Sequence, residues 1–238
     1  EASKKECQII ICSIFVNPKQ FNNPNDFINY PNTLDADLEK LKKLECDIVY
    51  TPSVEDLYSK YEKAKEFDFG TLSETMEGEF RPGHFNGMAT IIEKLFNIIN
   101  PKYAFFGNKD LQQLQIVKTL VKKMKSKTEI IGITTIREKN GLAKSSRNKL
   151  LSKNSKKEAT LIYACLKYCE ENKENTVEEL KLYIQNQFEK QKNLKLEYAE
   201  FVALDTMVPI NKLEEGNKSA ICIAASINNV RLIDNIIL

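Results

Sequence analysis

Apolar, β-branched runs alternate with helical patterns over the first 136 residues, and this alternation limits the possible folds more than any other feature. Residues 8–16 (QIIICSIFV) form a continuous apolar run, typical of a strand buried on both faces of a parallel sheet. Apolar residues then recur at helical spacing over 88–99. Three further strands are predicted, a short one at 47–50 after a helical pattern from Thr33, and two at 103–106 and 129–136 on either side of a helix over 110–123. This order predicts right-handed βαβ units in a doubly wound α/β sheet.

The pattern changes after Ile136, where we place a domain boundary. Thr176 and Glu179 have the spacing of a capping box at the start of a helix. Helices followed by antiparallel strands predict a smaller α+β domain over 137–238, after an α/β domain over 1–136. In this second domain we predict helices near 154–171 and 176–190, strands near 197–204, 219–225 and 230–238, and a hairpin turn at 228–229.

Charge and composition argue against several classes of function. The net charge is only +2 and acidic residues are interleaved with lysines, so neither a nucleic acid nor a membrane surface is expected as a partner. The six cysteines include no Cys-x-x-Cys pair, and the single histidine leaves no zinc set. Cys165 and Cys169 are expected to be an apolar pair on one helix face. We expect a cytoplasmic protein with reduced thiols.

Polar side chains lie where predicted strands end, in two segments of the first half. In SIFVNPKQF (13–21), Asn17 and Gln20 follow the first strand, although a polar turn with a capping amide is the simpler interpretation. In EGEFRPGHFNG (77–87), Arg81 and His84 lie in a glycine-rich loop that opens a helix, which suits an anion. A structural role for His84 is as plausible as a catalytic one.

A third polar segment, FFGNKDLQQ (105–113), joins a strand to a helix. Gly107 ends the strand, Lys109 places a cation at the same edge of the sheet, and Asp110 can cap the helix. Gln113 follows Asp110 by three residues, so it either completes a capping box or binds a substrate.

The fourth segment, REKNGLAKSSRN (137–148), combines a glycine turn with Ser145, Ser146 and Arg147, which together form a plausible phosphate clamp. The four segments supply amides, a lysine and arginines, but no paired catalytic acids, no Ser–His–Asp set and no P-loop. Such residues suit a reaction that depends on positioning and charge stabilisation, as phosphoryl and adenylyl transfer do. Arginine is rare beside lysine, which favours sites that need a planar fork at Arg81, Arg137, Arg147 and Arg231.

These four segments, in this order and spacing, and the ending VRLIDNIIL resemble the pantothenate synthetase (pantoate–β-alanine ligase) family. The resemblance implies a Rossmann-like nucleotidyltransferase domain followed by a smaller α+β lid domain, and a homodimer. It implies ATP-dependent condensation of pantoate with β-alanine, with Mg²⁺, through pantoyl adenylate, in the coenzyme A pathway. AMP and pyrophosphate are released. The alternative is a catalytically incompetent fragment or binding subunit on the same fold.

The resemblance also implies a role for individual residues. Lys109 and Arg147 stabilise charge on the phosphates, and Ser145 and Ser146 join them as catalytic residues. Asp37 is a candidate Mg²⁺ ligand, although a surface position on its helix explains this carboxylate equally well. The residues assigned to pantoate are Asn17, Gln20, Arg81 and Gln113, and those assigned to the nucleotide are Gly107, Lys109, Asp110, Ser145, Ser146 and Arg147.

The chain departs from the family pattern in one motif, and at Asn108 and Asn140, where acidic residues are usual in the family. The family carries a His-x-Gly-His sequence on its first helix, whereas the only histidine here is His84. We therefore expect a first strand and most of that helix to precede residue 1. A different adenylyltransferase with another acid substrate is a third hypothesis, and Gln20 together with Gln113 argues against it.

Overall fold

Short strands separated by helices form the first part of the chain, in a computed structural model that describes residues 1–22 and 24–238. The strand β1 (Ile11–Ser13) is followed by the helices α1 (Pro24–Ile28) and α2 (Leu34–Lys43). β1 pairs in parallel with β2 (Ile48–Tyr50). The strand predicted at 8–16 is confirmed at its centre, and it is shorter because its pairing with β2 extends over three residues.

The long amphipathic helix of this part is confirmed, and it begins earlier than its apolar residues alone indicated. It follows two short helices, α3 (Val54–Leu57) and α4 (Glu77–Phe80). α5 (His84–Ile99) buries Met88, Ile92 and Phe96. It ends at Asn100, whose left-handed backbone lets its N–H donate to the carbonyl of Phe96.

A second pair of strands flanks the helix that follows. β3 (Tyr103–Gly107) lies beside β4 (Glu129–Ile133), with α6 (Leu111–Lys123) between them in the chain. Ile116, Val117 and Leu120 of α6 are fully buried. The strand predicted to reach Ile136 ends earlier, because Ile136 is 61% exposed and its carbonyl accepts from Lys144 in the following loop.

Two helices and an antiparallel sheet close the chain, as predicted. The helices are α7 (Lys153–Glu171) and α8 (Val177–Glu189), and the Thr176–Glu179 capping box is present at the start of α8. The sheet has the order β5-β6-β7 and the hairpin turn at 228–229. Cys165 and Cys169 lie in the core between these elements, as expected for an apolar pair. The strands are β5 (Leu194–Ala203), β6 (Ser219–Ile227) and β7 (Val230–Ile237).

The residues fall into two compact units that do not follow chain order. The first unit contains Glu1–Phe69, Phe80–Phe106 and Ile116–Ile133. The second unit contains Thr134–Leu238 together with two short segments, Gly70–Glu79 and Gly107–Gln115. The domain boundary near residue 136 stays a prediction. Within the described ranges, no helix is long and apolar enough to cross a membrane.

Candidate active site

Asn17 is the structural centre of the first polar segment and is only 1% exposed. Its Nδ2 donates to the Gly87 carbonyl at 3.0 Å and lies 3.5 Å from Oε1 of Gln20. Its Oδ1 accepts from the Tyr58 hydroxyl at 2.9 Å and from the Lys19 N–H at 3.2 Å. These four contacts use every hydrogen-bonding position of the amide. The expected capping amide is therefore present, and it also holds the side chain of Gln20.

The Asn17 turn lies directly against the backbone of α5. Pro18–Gln20 forms a 3₁₀ turn, and Gly87 faces it so closely that a Cβ there would overlap the Lys19 carbonyl. Only a glycine permits this approach. Gln20 is half-buried at the end of the turn.

Tyr58 is a member of this cluster that the sequence did not reveal. It is 5% exposed, and burial raises its pKa to about 12, so the hydroxyl stays protonated and donates to Asn17. No local pattern around Tyr58 indicates a partner 41 residues away.

Arg81 and His84 form a hydrogen-bonded pair at the start of α5. Arg81 Nη1 lies 3.1 Å from His84 Nε2, and His84 Nδ1 lies 2.9 Å from the Gln20 carbonyl oxygen. Because a guanidinium only donates and a carbonyl only accepts, His84 is neutral and carries its proton on Nδ1. Both ring nitrogens are thus engaged, which favours the structural role for His84. The imidazole joins Arg81 to the turn that carries Gln20.

Asp37 lies on α2, where its carboxylate is engaged locally. Oδ2 accepts from the Thr33 hydroxyl at 2.8 Å, and Oδ1 pairs with Lys40 at 2.9 Å. No group of three or more His, Cys, Asp or Glu residues suited to a metal occurs among the residues that the structure describes. A hydroxyl and an ammonium bonded to the Asp37 carboxylate do not fit an Mg²⁺ site built from protein side chains.

The second unit carries the Lys109 turn. Asn108–Asp110 forms a 3₁₀ turn after Gly107, which is exposed and has open space where a Cβ would stand. Lys109 Nζ lies 3.6 Å from Asp110 Oδ1, and the Lys109 side chain is 17% exposed. At this length the ion pair is weak, so the ammonium keeps hydrogen-bonding capacity. Gln113 is half-buried in the first turn of α6.

Gln112, rather than its predicted neighbour, is the buried amide of this segment. Its Nε2 donates to the carbonyls of Leu72 and Thr75, each at 2.8 Å, and its Oε1 accepts from the Glu77 N–H at 3.0 Å. Gln112 therefore binds the segment Gly70–Glu79 to α6. Gln112 and Gln113 are the same residue type at adjacent positions of one helix. The sequence therefore does not show which of the two side chains is buried and bound to the backbone.

The serine–arginine segment forms a loop braced from within. Ser145 Oγ accepts from the Arg147 N–H at 3.3 Å and caps the 3₁₀ turn Ser146–Leu150. Asn148 is buried, and its Nδ2 donates to Glu138 Oε1 at 3.1 Å and to the Ala143 carbonyl at 3.0 Å. Residues 137–148, named here the Arg147 loop, are thereby closed on themselves.

Two of the four arginines bind protein carboxylates inside the second unit, so each uses the planar fork that the scarcity of arginine indicated. Arg137 donates to both oxygens of Asp234, at 2.5 and 3.0 Å. Arg231 donates to both oxygens of Glu77, at 2.8 and 2.6 Å, and its Nε donates to Glu197 at 2.5 Å.

The structural importance of Asp234 could have been predicted from the sequence, because this charged residue occupies a core position of a predicted strand. Val230, Leu232 and Asp234 share the buried phase of β7, and a carboxylate in that phase requires a partner. Burial raises the pKa of Asp234, while the hydrogen bonds of Arg137 and the charge of Lys109 oppose that rise.

Cations and amides at strand ends and helix starts define the class of protein. In the first unit these groups are Gln20 and Arg81, and in the second they are Lys109 and the Ser145–Arg147 turn. An α/β enzyme that binds anionic substrates and acts by charge stabilisation has this set of groups.

Comparison with known proteins gives a consistent result. A family model described as pantoate-beta-alanine ligase matches residues 1–237. The pantothenate synthetase of Christiangramia forsetii is 44% identical over 240 residues, which cover 98% of this chain and 83% of that protein. The pantothenate synthetase of Cytophaga hutchinsonii is 41% identical, covering 99% of this chain and 84% of that protein.

Two solved structures are similar throughout the chain. Pantothenate synthetase from Thermus thermophilus superposes with a TM-score of 0.93 at 32% identity, covering 99% of this chain and 85% of that one. The pantoate-beta-alanine ligase of Francisella tularensis, complexed with beta-gamma ATP and beta-alanine, gives a TM-score of 0.80 at 36% identity. That match covers 99% of this chain and 81% of the other.

The chain belongs to the pantoate–β-alanine ligase family. The predicted fold class, an α/β Rossmann-like domain with a smaller α+β lid domain, is confirmed by the Thermus structure. The protein is an ATP-dependent ligase that forms the amide bond between pantoate and β-alanine. The alternative of a noncatalytic subunit is not favoured.

Proposed function

We propose that Lys109 and Arg147 carry the adenylation step of this ligase by stabilising charge on the phosphates of ATP. The pantoate carboxylate attacks the α-phosphorus, the bond from that phosphorus to the bridging oxygen breaks, and pyrophosphate leaves. The amine of β-alanine then attacks the acyl carbon of pantoyl adenylate and expels AMP. Fixed cations at the phosphates lower the barrier of the first step, because negative charge grows there in the transition state.

The observation that carries this proposal is the state of Lys109. Its side chain is 17% exposed, and within the described residues its ion pair is the long one to Asp110, with the charge of Asp234 also close enough to act on it. A partly buried cation with unused donors is suited to an anionic group of a ligand. The exposed Gly107 leaves the backbone before Lys109 open to close approach by a nucleotide.

Ser145 and Ser146 serve the same nucleotide in this proposal. Ser145 Oγ already accepts from the Arg147 N–H, which leaves its hydroxyl hydrogen to donate to a phosphate oxygen. The same contact anchors the backbone of Arg147 in the 3₁₀ turn. Asp110, 48% exposed beside Lys109, is assigned to the nucleotide as a neighbour of that cation.

The family resemblance assigns Gln20, Gln113 and Arg81 to pantoate, and in this proposal Asn17 acts through Gln20. Pantoate offers a carboxylate to a guanidinium and hydroxyl groups to amides, which both donate and accept. Since the amide of Asn17 is fully used inside the protein, its contribution is to orient Gln20.

We treat Mg²⁺ as part of the substrate, entering as the metal–ATP complex. Mg²⁺ keeps several waters and binds phosphates more readily than side-chain cages. The local partners of Asp37 support this assignment over a ligand role for that carboxylate.

A cytoplasmic homodimer remains an expectation of the family resemblance, and light scattering would measure the dimer.

The first experiment compares Lys109→Ala with Lys123→Ala in pantoate-dependent exchange of labelled pyrophosphate into ATP. Lys109→Ala should slow exchange by about 100-fold or more, because it removes transition-state charge stabilisation. Lys123→Ala makes the same charge change at an exposed position at the end of α6, so it should leave the exchange rate unchanged. An equal loss of pantoate affinity and exchange rate in Lys109→Ala would contradict the assigned role. No exchange by the wild-type protein would instead support a noncatalytic binding function.

Gln113→Ala separates the two interpretations of that residue. If Gln113 binds pantoate, the Gln113→Ala substitution should raise the KM for pantoate by about 10-fold and change the melting temperature little. A lower melting temperature with an unchanged KM would identify it as a capping residue.

A further inference from the structure

The side-chain amide of Asn235, on β7, is bound to the Lys109 turn. Its Nδ2 donates to two consecutive carbonyls, those of Asn108 at 2.9 Å and Lys109 at 2.8 Å. Asn235 is 6% exposed, so both bonds are shielded from water. One amide group thus fixes two successive peptide units, which sets the direction in which the Lys109 side chain leaves the turn.

The preceding residue, Asp234, is bound to the Arg147 loop. Its two carboxylate oxygens accept from both terminal nitrogens of Arg137, the first residue of that loop. Arg137 also donates to the Gly141 carbonyl at 3.1 Å, and its guanidinium lies 4.0 Å from the ring centroid of Tyr163. The base of the loop is therefore held on three sides.

The two residues are also joined to each other. The Asn235 N–H donates to Asp234 Oδ1 at 2.9 Å, and the Asn235 carbonyl accepts from Arg137 Nη2 at 3.3 Å. Both lie in β7, within the ladder to β6, where Asp234 is opposite Ile223 and Asn235 is opposite Cys222. A short stretch of a paired strand thus connects the two segments that carry the cations.

We propose that Asp234 and Asn235 are positioning residues for adenylation, which hold the Lys109 turn and the Arg147 loop at a fixed spacing. This inference rests on the proposed roles of Lys109 and Arg147. Charge stabilisation is effective only when the charged groups are in place before the reaction, and a displacement of about 1 Å costs about 100-fold in rate. In this proposal the pair acts on the reaction through Lys109 and Arg147, by holding their segments and, for Asp234, also through its charge close to Lys109.

The test measures the two half-reactions separately in the full protein with Asn235→Ala. Pantoate-dependent pyrophosphate exchange should fall by about 30-fold or more, while the reaction of preformed pantoyl adenylate with β-alanine should change less than about threefold. Asn193→Ala is the matched control, since its exposed amide also makes two hydrogen bonds in the second unit, both to Glu158. That control should leave both half-reactions unchanged. Asn235→Asp keeps the shape but lacks the donors, and it should show the same split if alanine impairs folding.

A double variant decides whether Asn235 acts through Lys109. Asn235→Ala should add little to the loss already caused by Lys109→Ala, because the positioned group is then absent. Fully additive losses, or equal falls in both half-reactions with a lower melting temperature, would overturn the inference. If Lys109→Ala alone leaves exchange intact, the proposed role of Lys109 fails. If Lys109→Ala slows exchange but both Asn235 variants do not, only the positioning inference fails.

Discussion

At the scale of single residues, buried amides brace the segments to which we assign the site residues. Asn17, Gln112 and Asn235 each bind two or more backbone or side-chain groups far away in the chain. The side chains that we assign to substrates, such as Gln113 and Lys109, are neighbours of these amides and keep some exposure. In this assignment, the structural amides lie next to the proposed ligand-binding residues, either in sequence, as Gln112 does beside Gln113, or through a hydrogen bond, as Asn235 does at Lys109.

The first residue-scale prediction concerns Asn17→Ala. The change leaves the Tyr58 hydroxyl and the Gly87 carbonyl without their partner in a buried place, which should lower the free energy of unfolding by about 2–4 kcal/mol. Urea unfolding followed by circular dichroism measures this difference. Asn29→Ala, which loses an exposed hydrogen bond to the Asn25 carbonyl, is the control. Similar unfolding midpoints for the two variants would show that the Asn17 network is not stabilising.

The residue types in the sequence predicted which segments carry charged and polar side chains. They did not predict the partner that each of these side chains binds. Lys109 and the serine–arginine turn lie in strand-end and loop positions, as the pattern of their segments indicated. The partners of Arg137 and Arg231, however, are 97 and 154 residues away, and nothing local distinguishes an arginine that binds a carboxylate from one that binds a phosphate. The chemistry of a guanidinium is the same in both cases.

At the scale of elements, the approach of the Pro18–Gln20 turn to α5 depends on Gly87. Any side chain at that position meets the Lys19 carbonyl, which belongs to the backbone and has no rotamer with which to move aside. The turn and the helix can therefore pack only with glycine at this point.

Gly87→Ala should consequently lower the melting temperature by several degrees, as overpacking that costs about 1–3 kcal/mol would do. Gly107→Ala is a suitable comparison, because its Cβ would enter open space at an ordinary backbone angle, φ −72°. Scanning calorimetry of the two variants tests the contrast. A Gly87→Ala protein as stable as Gly107→Ala would mean that the turn can shift without cost.

Helices were more predictable than strands, for a physical reason. The α8 start was predicted from Thr176 and Glu179 because a capping box is formed by residues three apart. The lengths of β1 and β4 depend instead on hydrogen bonds to residues distant in the chain, and both strands are shorter than their apolar runs. Local sequence patterns therefore show where a helix is capped, but they do not show where strand pairing begins and ends.

At the scale of the whole molecule, the six cysteines differ between the two units. Cys165, Cys169 and Cys222 are buried in the second unit, whereas Cys7, Cys12 and Cys46 are partly exposed in the first. Labelling with a thiol reagent at pH 8 should therefore show three slow and three faster groups, since a thiol reacts as the thiolate. Six equally fast groups would contradict the packing of the second unit.

The same burial predicts a loss of stability in alkaline solution. Burial raises the pKa of Cys165, of Cys169 and of Cys222 from 9.0 to about 12. The folded protein therefore resists ionisation that the unfolded chain permits, so this contribution is complete below pH 9 and is lost as the pH rises towards 12. Cys169→Ala should lose less melting temperature between pH 8 and pH 10.5 than Cys7→Ala. Equal losses would show that thiol burial does not contribute.

The family and the fold class were recognisable from four ordered segments, but the grouping of residues into units was not. Gly70–Glu79 and Gly107–Gln115 belong to the second unit, and the contacts that bind them there are side-chain bonds from Gln112, Arg231 and Asn235. Each of these residues reads as ordinary helix or strand in its own segment. Pairing over such distances is invisible to any local pattern.

The bonds of Gln112 and Arg231 to the segment Gly70–Glu79 have a consequence for how this protein can be divided or recombined. The chain passes from one unit to the other five times, at 69/70, 79/80, 106/107, 115/116 and 133/134. Neither unit is therefore formed by one continuous segment of the chain. A fragment beginning at Ile136 would lack two pieces of its own interior, and an exchange of C-terminal halves between relatives would have to carry Glu77 and Gln112 along with it. A hybrid that keeps these contacts therefore has to take the distant stretches of sequence from the same parent.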